Sequence, residues 1–497
     1  MKFILNDKIV EETSLPSDFT ALRYLREKRG LTGTKEGCAS GDCGACTLLV
    51  GALEEGELTY TTLNACITPL QSLAGKHLVS VEHLASLDEG LHPAQQAMVD
   101  AHGSQCGFCT PGFVLSLASL YENAANTGAE VDRESVCDAI SGNLCRCTGY
   151  RPIIEAGLAM ADRTSHLLSQ KTWIKSQLAE IENSMAGAQY VRPETLAQLH
   201  QAKQRHPDAE FIAGGTDLML ENTQRYRDFD VLIDLTRVAE MKQIIEQEGD
   251  LVIGAGVTYS ELEDYSQTAY PHLYQLLSRI ASRQIRNRGT LGGNVANGSP
   301  IADMPPILLA FDADIRLDKI DGSSREINIQ DFYLGYKQTA LAADECIVSF
   351  RIRLAKLASF HRFYKVSKRM EDDISSVLLA SRFDVKDGQI GAVRLAFGGM
   401  AATPIRALAT EACLTQMAIS DEQALEVALQ TLRGELTPMS DMRASAKYRI
   451  DMACNLIRKA WLELNGMTVP TFSGHPVPSA WLELGQDVGK QEASNHA

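Results

Sequence analysis

No run of about 18 consecutive apolar residues occurs in this 497-residue sequence, so no membrane-spanning helix is expected. The opening residues MKFILNDKIVEE turn acidic too early for a secretory signal, and the cytoplasm is the expected compartment. Basic side chains are in the minority, 47 Lys and Arg against 63 Asp and Glu, for a formal charge of −16. Such a chain repels phosphate backbones, which argues against nucleic-acid binding. A Gly-x-Gly-x-x-Gly fingerprint is missing: Gly254-x-Gly256 has no third glycine, so a Rossmann-type dinucleotide site is not expected. None of the 11 histidines has metal-ligand spacing, and no internal repeat is visible.

What the sequence does have is a concentration of cysteine. Of 12 cysteines, only Cys346, Cys413 and Cys454 lie beyond Cys147. In a long chain without a signal sequence, clustered cysteines point to metal or redox work rather than disulfides. The length allows roughly three or four domains. Residues 1–85 read as a small β-rich unit, with a strand pair turning at Asn6–Asp7 and a short helix from Thr20 to Arg29 stopped by Gly30. Residues 86–165 read as four helices, one of them admitting Pro111 in its first turn. A polar linker, helical in part, follows over 166–189, then a mixed α/β pattern over 190–388 and a further unit over 389–490. The tail, SNHA, is expected to be disordered.

The first cysteine set is Cys38-x4-Cys43-x2-Cys46, followed later by Cys66. This is the spacing of plant-type [2Fe–2S] ferredoxins. Thiolates suit ferric iron, and the chain must wrap closely with N–H groups aimed at sulfur. Gly37, Gly41 and Gly44 supply the positive φ angles and close approach that this requires. The second set is Cys106-x2-Cys109 with Cys145-x-Cys147. Each pair precedes a predicted helix, whose N-terminus would stabilise an anionic cluster. By spacing alone a zinc site competes for this second set, although Cys145-x-Cys147 is an unusual zinc spacing. Cys137 sits in a helical run and reads as a packed free thiol.

Taken together, GCASGDCGACT, QCGFCTPG and NLCRCTGYRPI resemble the iron–sulfur portion of the molybdenum hydroxylases, the xanthine oxidase family. The resemblance implies two [2Fe–2S] clusters rather than zinc. It assigns Cys38, Cys43, Cys46 and Cys66 to the outer cluster. It gives Cys106, Cys109, Cys145 and Cys147 to the cluster nearer the molybdenum centre. It also implies the fold class. This is multidomain α+β: a β-grasp plant-type ferredoxin domain, a four-helix-bundle [2Fe–2S] domain, a non-Rossmann α+β FAD-binding domain and a small C-terminal α+β cap.

Two glycine turns, in FIAGGTDLML and in RNRGTLGGNVANGSPIADMPP, could hold a pyrophosphate between exposed N–H groups. In this order they resemble the FAD domain of the same family. By resemblance Ile212, Ala213, Gly214, Gly215, Thr216 and Asp217 line the pyrophosphate and ribityl chain. Thr290, Gly293 and Asn294 contact phosphate oxygens, and Asp303 contacts sugar or ribityl hydroxyls. Ile347 and Val348 pack near the ring, and Lys365 matches the family's flavin-contacting lysine. The run Lys368, Arg369, Glu371, Asp372, Asp373 is either a solvated surface or a loop shaping the flavin's surroundings and NAD access.

No segment is long enough for a molybdopterin domain. The resemblance therefore implies the small iron–sulfur/FAD subunit of a split enzyme of the xanthine dehydrogenase type. Its expected partner is a molybdopterin-binding large subunit in a heterotetramer of two small and two large chains. Electrons from purine oxidation would pass to FAD and then NAD+. The alternatives are the same role in an aldehyde or N-heterocycle hydroxylase, and a stand-alone electron carrier. No nucleophile or general base is expected, so no catalytic residue is named.

Overall fold

The fold is seen in a computed structural model that describes residues 1–86, 88, 90–160, 165–181 and 187–469. The SNHA tail lies outside the described residues, as does Ala161, placed by the sequence at the end of the fourth helix.

The N-terminal unit is a five-stranded mixed sheet in the order Lys8–Glu11, Lys2–Leu5, His77–Val79, Thr47–Glu54, Glu57–Asn64. Lys2–Leu5 runs parallel to His77–Val79, and the other neighbours are antiparallel. Side chains alternate across a strand, and here both faces are apolar. Phe3, Leu5, Leu48 and Val50 enter one core. Ile4 and Leu49, between them in sequence, enter another. The sheet is thus a wall shared by its neighbours. One face packs on Tyr190, Ile212, Met219 and Leu232 from the following α/β unit. The opposite face packs on Met98, Phe113, Leu117 and Ile153 of the helical unit. The expected helix after Thr20 is shorter than predicted: Ala21–Arg23 is α-helical, and Tyr24–Lys28 widens into a π turn before Gly30.

The helical unit comprises Pro93–Asp100, Thr110–Thr127, Arg133–Ile140 and Arg151–Leu158. Its ends are set by local chemistry. His92 and Asp132 each close a capping box, Pro111 occupies the first turn, and Gly128 takes φ +72° after the long helix. The stretch read as a linker is built into this unit. Lys171–Ile181 is a helix that buries Ile174, Leu178 and Ile181 in the same core, at the spacing of one helical face.

The α/β unit contains a three-stranded parallel sheet, in the order Tyr190–Val191, Leu232–Asp234, Glu210–Ile212. It also contains a five-stranded antiparallel sheet centred on Glu345–Arg353. The C-terminal unit is a four-stranded sheet, Phe360–Val366, Val377–Lys386, Gln389–Gly398 and Ile405–Arg406, covered by Glu422–Glu435 and Ala446–Leu464. The boundary expected at 388/389 cuts this sheet. Val377–Lys386 pairs along its length with Gln389–Gly398, so the two strands form one hairpin turning at Asp387 and Gly388. The pattern change seen in the sequence marks the second strand of that hairpin, and the unit begins near Phe360.

Candidate redox sites

The first cysteine loop folds its four thiols together. Cys46 and Cys66 are buried, with their Sγ atoms 3.3 Å apart. The Cys38 thiol is in hydrogen-bonding contact with Cys43 and Cys66. Those neighbours, aided by Ser40, hold the Cys38 thiol far below its ordinary pKa. Ser40 N–H points at Cys38 Sγ from 3.5 Å. Gly41 and Gly44 take φ +82° and +67°. Gly37 does not take a positive φ; it is needed for space, because a Cβ there would lie 2.9 Å from Cys43 Sγ. Ala39 adopts φ +54° without being glycine, a strain the sequence did not signal.

In the second set the thiols pair across the two segments. Cys106 lies against Cys147, and Cys109 against Cys145. Cys109 stands at the N-cap of Thr110–Thr127, where free N–H groups converge. Burial pushes its thiol up to about 12, with Cys145 adding to the shift. Thr148 donates to Cys145 Sγ from both its amide, at 3.5 Å, and its hydroxyl, at 3.1 Å. Tyr150, the N-cap of Arg151–Leu158, accepts from Cys145 N–H at its own hydroxyl. Cys106 and Cys147 are exposed, unlike the buried pair of the first set. Among the described residues no group of three or more His, Cys, Asp or Glu has the geometry for a single metal ion. Thiols gathered in twos suit a cluster of two irons, each taking two thiolates.

The two loops meet backbone to backbone. Leu144 N–H donates to Cys43 O at 3.0 Å, and a Cβ on Gly112 would lie 2.3 Å from Gly44 O.

The two glycine turns also meet directly. A Cβ on Gly214 would lie 1.9 Å from the Arg288 carbonyl oxygen, and Arg288 Nε donates back to Gly214 O at 3.0 Å. Gly215 takes φ +78°, Thr216 is half-buried and Asp217 is exposed. Thr290 caps the short helix Leu291–Ala296 by accepting from Gly293 N–H at 3.1 Å, so that donor is already engaged within the chain. Asn294 Oδ1, Arg288 Nη2 and Tyr259 Oη are buried without a hydrogen-bond partner. Orphaned polar groups beside a glycine cradle fit a polar ligand such as a dinucleotide. Ile212 is in the core, leaving only its backbone for a ligand, and the Val348 side chain likewise joins a core cluster with Val238 and Met241.

Asp303 and Lys365 are brought together: Lys365 Nζ donates to Asp303 Oδ2 at 2.7 Å, and Ser375 Oγ donates to Oδ1 at 2.5 Å. Burial, followed by the neighbouring Asp303, raises the Tyr259 phenol well above its ordinary pKa. Arg279 clamps the segment after Lys365 through Lys365 O, Met370 O and Ser367 Oγ. The charged run is not merely a solvated surface. Burial, followed by the charge of Asp42, pushes Asp372 up to about 7. Tyr259, Arg279 and Ser375 were not singled out from sequence. Ser375 ends the MEDDIS string, but nothing local marks the other two.

A cleft of about 1070 Å³ between the ferredoxin-like sheet and the α/β unit is lined by Lys76, Arg192, Gly214 and Arg288. It borders the glycine turns at Gly214 and Arg288, while Asp303, Lys365 and the eight cysteines are not among its lining residues.

Three family models match this layout. They are a [2Fe-2S] binding domain over 80–158, the FAD binding domain in molybdopterin dehydrogenase over 183–353, and the CO dehydrogenase flavoprotein C-terminal domain over 362–464. The xanthine dehydrogenase of Drosophila subobscura is 32% identical across 93% of the chain, and that of Emericella nidulans 32% across 86%. The chain belongs to the molybdenum hydroxylase family. This molybdenum hydroxylase chain spans 39% of the Drosophila protein and 36% of the Emericella one, well under half of each. Among solved structures, 55% of it resembles a chain of carbon monoxide dehydrogenase from Hydrogenophaga pseudoflava and one of quinoline 2-oxidoreductase from Pseudomonas putida 86. Identity is 28% in both, the TM-scores are 0.51 and 0.50, and 94% and 95% of those chains are covered. Its cofactors are FAD and [2Fe–2S] clusters. No helix among the described residues is long and apolar enough to cross a membrane.

Proposed function

We propose that this chain is the electron-transfer subunit of a xanthine dehydrogenase-type enzyme. It would work with a molybdopterin-binding chain that oxidises a purine and with NAD+ as final acceptor. Cys38, Cys43, Cys46 and Cys66 hold the outer cluster, and Cys106, Cys109, Cys145 and Cys147 hold the inner one. The turns at Ile212–Asp217 and Thr290–Asn294, with Asp303, Val348 and Lys365, hold FAD. The observation that carries this reading is contact between the sites. The second cysteine loop donates a backbone hydrogen bond to Cys43 O, and Arg283 and Arg286 of the flavin domain pair with Asp138 of the helical unit. When bound, the clusters carry single electrons and the flavin exchanges pairs with a nicotinamide. The chain's own residues bind and tune. Thr148 and Ser40 aim donors at sulfur, and the paired Asp303 and Lys365 fix charge where the flavin lies.

Anaerobic purification with any co-purifying chain should yield about four iron and one FAD per chain, with two [2Fe–2S] EPR signals after reduction. Molybdenum should appear in the partner. Zinc in the second site or absent flavin would overturn the cofactor assignment; full cofactors with no partner would favour a stand-alone carrier.

Gly214→Ala is a sharp test of the flavin turn. The Arg288 carbonyl opposite cannot retreat without undoing the second turn, so flavin retention should fall below about a tenth of the parent's, more than 1.4 kcal/mol in binding. Parent-like flavin absorbance in the purified variant would place the flavin elsewhere.

A further inference from the structure

The short helix Arg283–Arg286 of the flavin domain enters the seam between the two iron–sulfur domains. Gln284 is 1% exposed and sits where all three meet. Its amide donates to Asn143 Oδ1 at 3.1 Å, Thr47 Oγ1 at 3.2 Å and, more weakly, Ser116 Oγ at 3.4 Å. Thr47 directly follows Cys46, and Asn143 precedes Cys145 by two residues. Both acceptors are tied to the first loop. Asn143 Nδ2 donates to Gly44 O and Thr47 Oγ1, each at 3.0 Å, and Thr47 Oγ1 donates to Gly44 O at 2.7 Å. Ser116 Oγ donates to Asn143 Oδ1 at 2.7 Å. No space is spare: a Cβ on Gly142 would lie 1.9 Å from Gln284 Oε1. That oxygen is buried without a partner, an unfavourable condition for the fold. The Nε2 end is the one engaged, and it adds a donor from the flavin domain to acceptors that Ser116 and Asn143 already join across the two loops.

We propose that Gln284 is a positioning residue that locks both cluster loops and the flavin domain in one register, and so sets the coupling between the two clusters. The inference rests on the cluster assignment proposed above. Other contacts of the same helix serve ordinary domain docking. Arg283 and Arg286 pair with Asp138 and Glu263, and Asn287 donates to Thr62 O at 2.9 Å. Gln284 alone on this helix reaches both loops through one amide.

The test uses the purified full chain with its cofactors and partner. Parent protein showing two reduced-cluster EPR signals establishes the assignment; their absence would sink that assignment rather than the role of Gln284. Gln284→Met keeps the volume and removes the donor. It should retain iron and FAD yet change the low-temperature spin–spin splitting between the reduced clusters. Gln284→Glu should do the same and also lower both cluster midpoint potentials, because it adds negative charge beside both loops. Asn287→Ala, at the C-cap of the same helix and bonded to Thr62 O rather than to either loop, should leave splitting and potentials at parent values. Parent-like splitting in a fully loaded Gln284→Met protein would overturn the proposal, as would an equal change in Asn287→Ala. Should both Gln284 variants fail to fold, Ser116→Ala decides: it removes one acceptor, and an unchanged splitting would overturn the proposal.

Discussion

Cys145→Ala is expected to remove one cluster and leave the other, lowering iron from about four to about two atoms per chain. Cys145 faces Cys109, and Thr148 directs two donors at its sulfur. Removing that thiolate leaves one iron with a single protein ligand at a site whose other pair, Cys106 and Cys147, is exposed to solvent. The first set should survive. Cys46 and Cys66 belong to the core beneath the ferredoxin-like sheet and not to the helical core. Iron analysis and EPR of the reduced variant read this out directly: one signal disappears and the other persists. Unchanged iron with both signals intact would show that Cys145 is not a ligand. Loss of both would show that the two sites fold as one unit.

The second large effect is expected at the pair formed by Asp303 and Lys365. Lys365 is nearly fully buried, with 2% of its side chain exposed, and Asp303 is little more accessible at 9%. Breaking a buried pair by removing one partner costs about 3–5 kcal/mol, because the other charge is left uncompensated. Asp303→Ala should therefore lower thermal stability and strip the flavin. The double variant Asp303→Asn with Lys365→Met removes both charges. It should recover most of the stability without recovering flavin, since the groups that would face the ligand are gone. Denaturation midpoints and flavin absorbance on the same samples separate the two effects. If the double variant regains flavin along with stability, the pair is structural and the ring is held by other residues.

How far the sequence led differs between the sites for identifiable reasons. The first cysteine set was legible because most of its chemistry is local. Three ligands and their glycines fit within one loop, and spacing is a direct record of how a short loop can wrap. The start of the long helix was legible for the same reason: Pro111 in its first turn acts locally, whereas the caps at His92, Asp132 and Thr290 emerged only in the structure. The domain edge at 388 misled because the sequence pattern changed at a strand, while the unit was defined by that strand's pairing with its predecessor. The linker's helical part was anticipated but its packing was not: its polar residues are the solvent face of Lys171–Ile181, and only tertiary contact gives its three apolar residues a core to fill.

The sequence by itself determined which thiols could be ligands and the order of the units, since thiol spacing acts over a few residues; the kind of cofactor at the second set and at the glycine turns came from the family resemblance. The tertiary structure alone decided which thiol faces which, that Lys365 neutralises Asp303, that Val348 turns into a core, and that Gln284 reaches both cluster loops. Those contacts join residues tens to hundreds of positions apart. A hydrogen bond or ion pair depends on separations of a few ångströms in space, which chain spacing does not record.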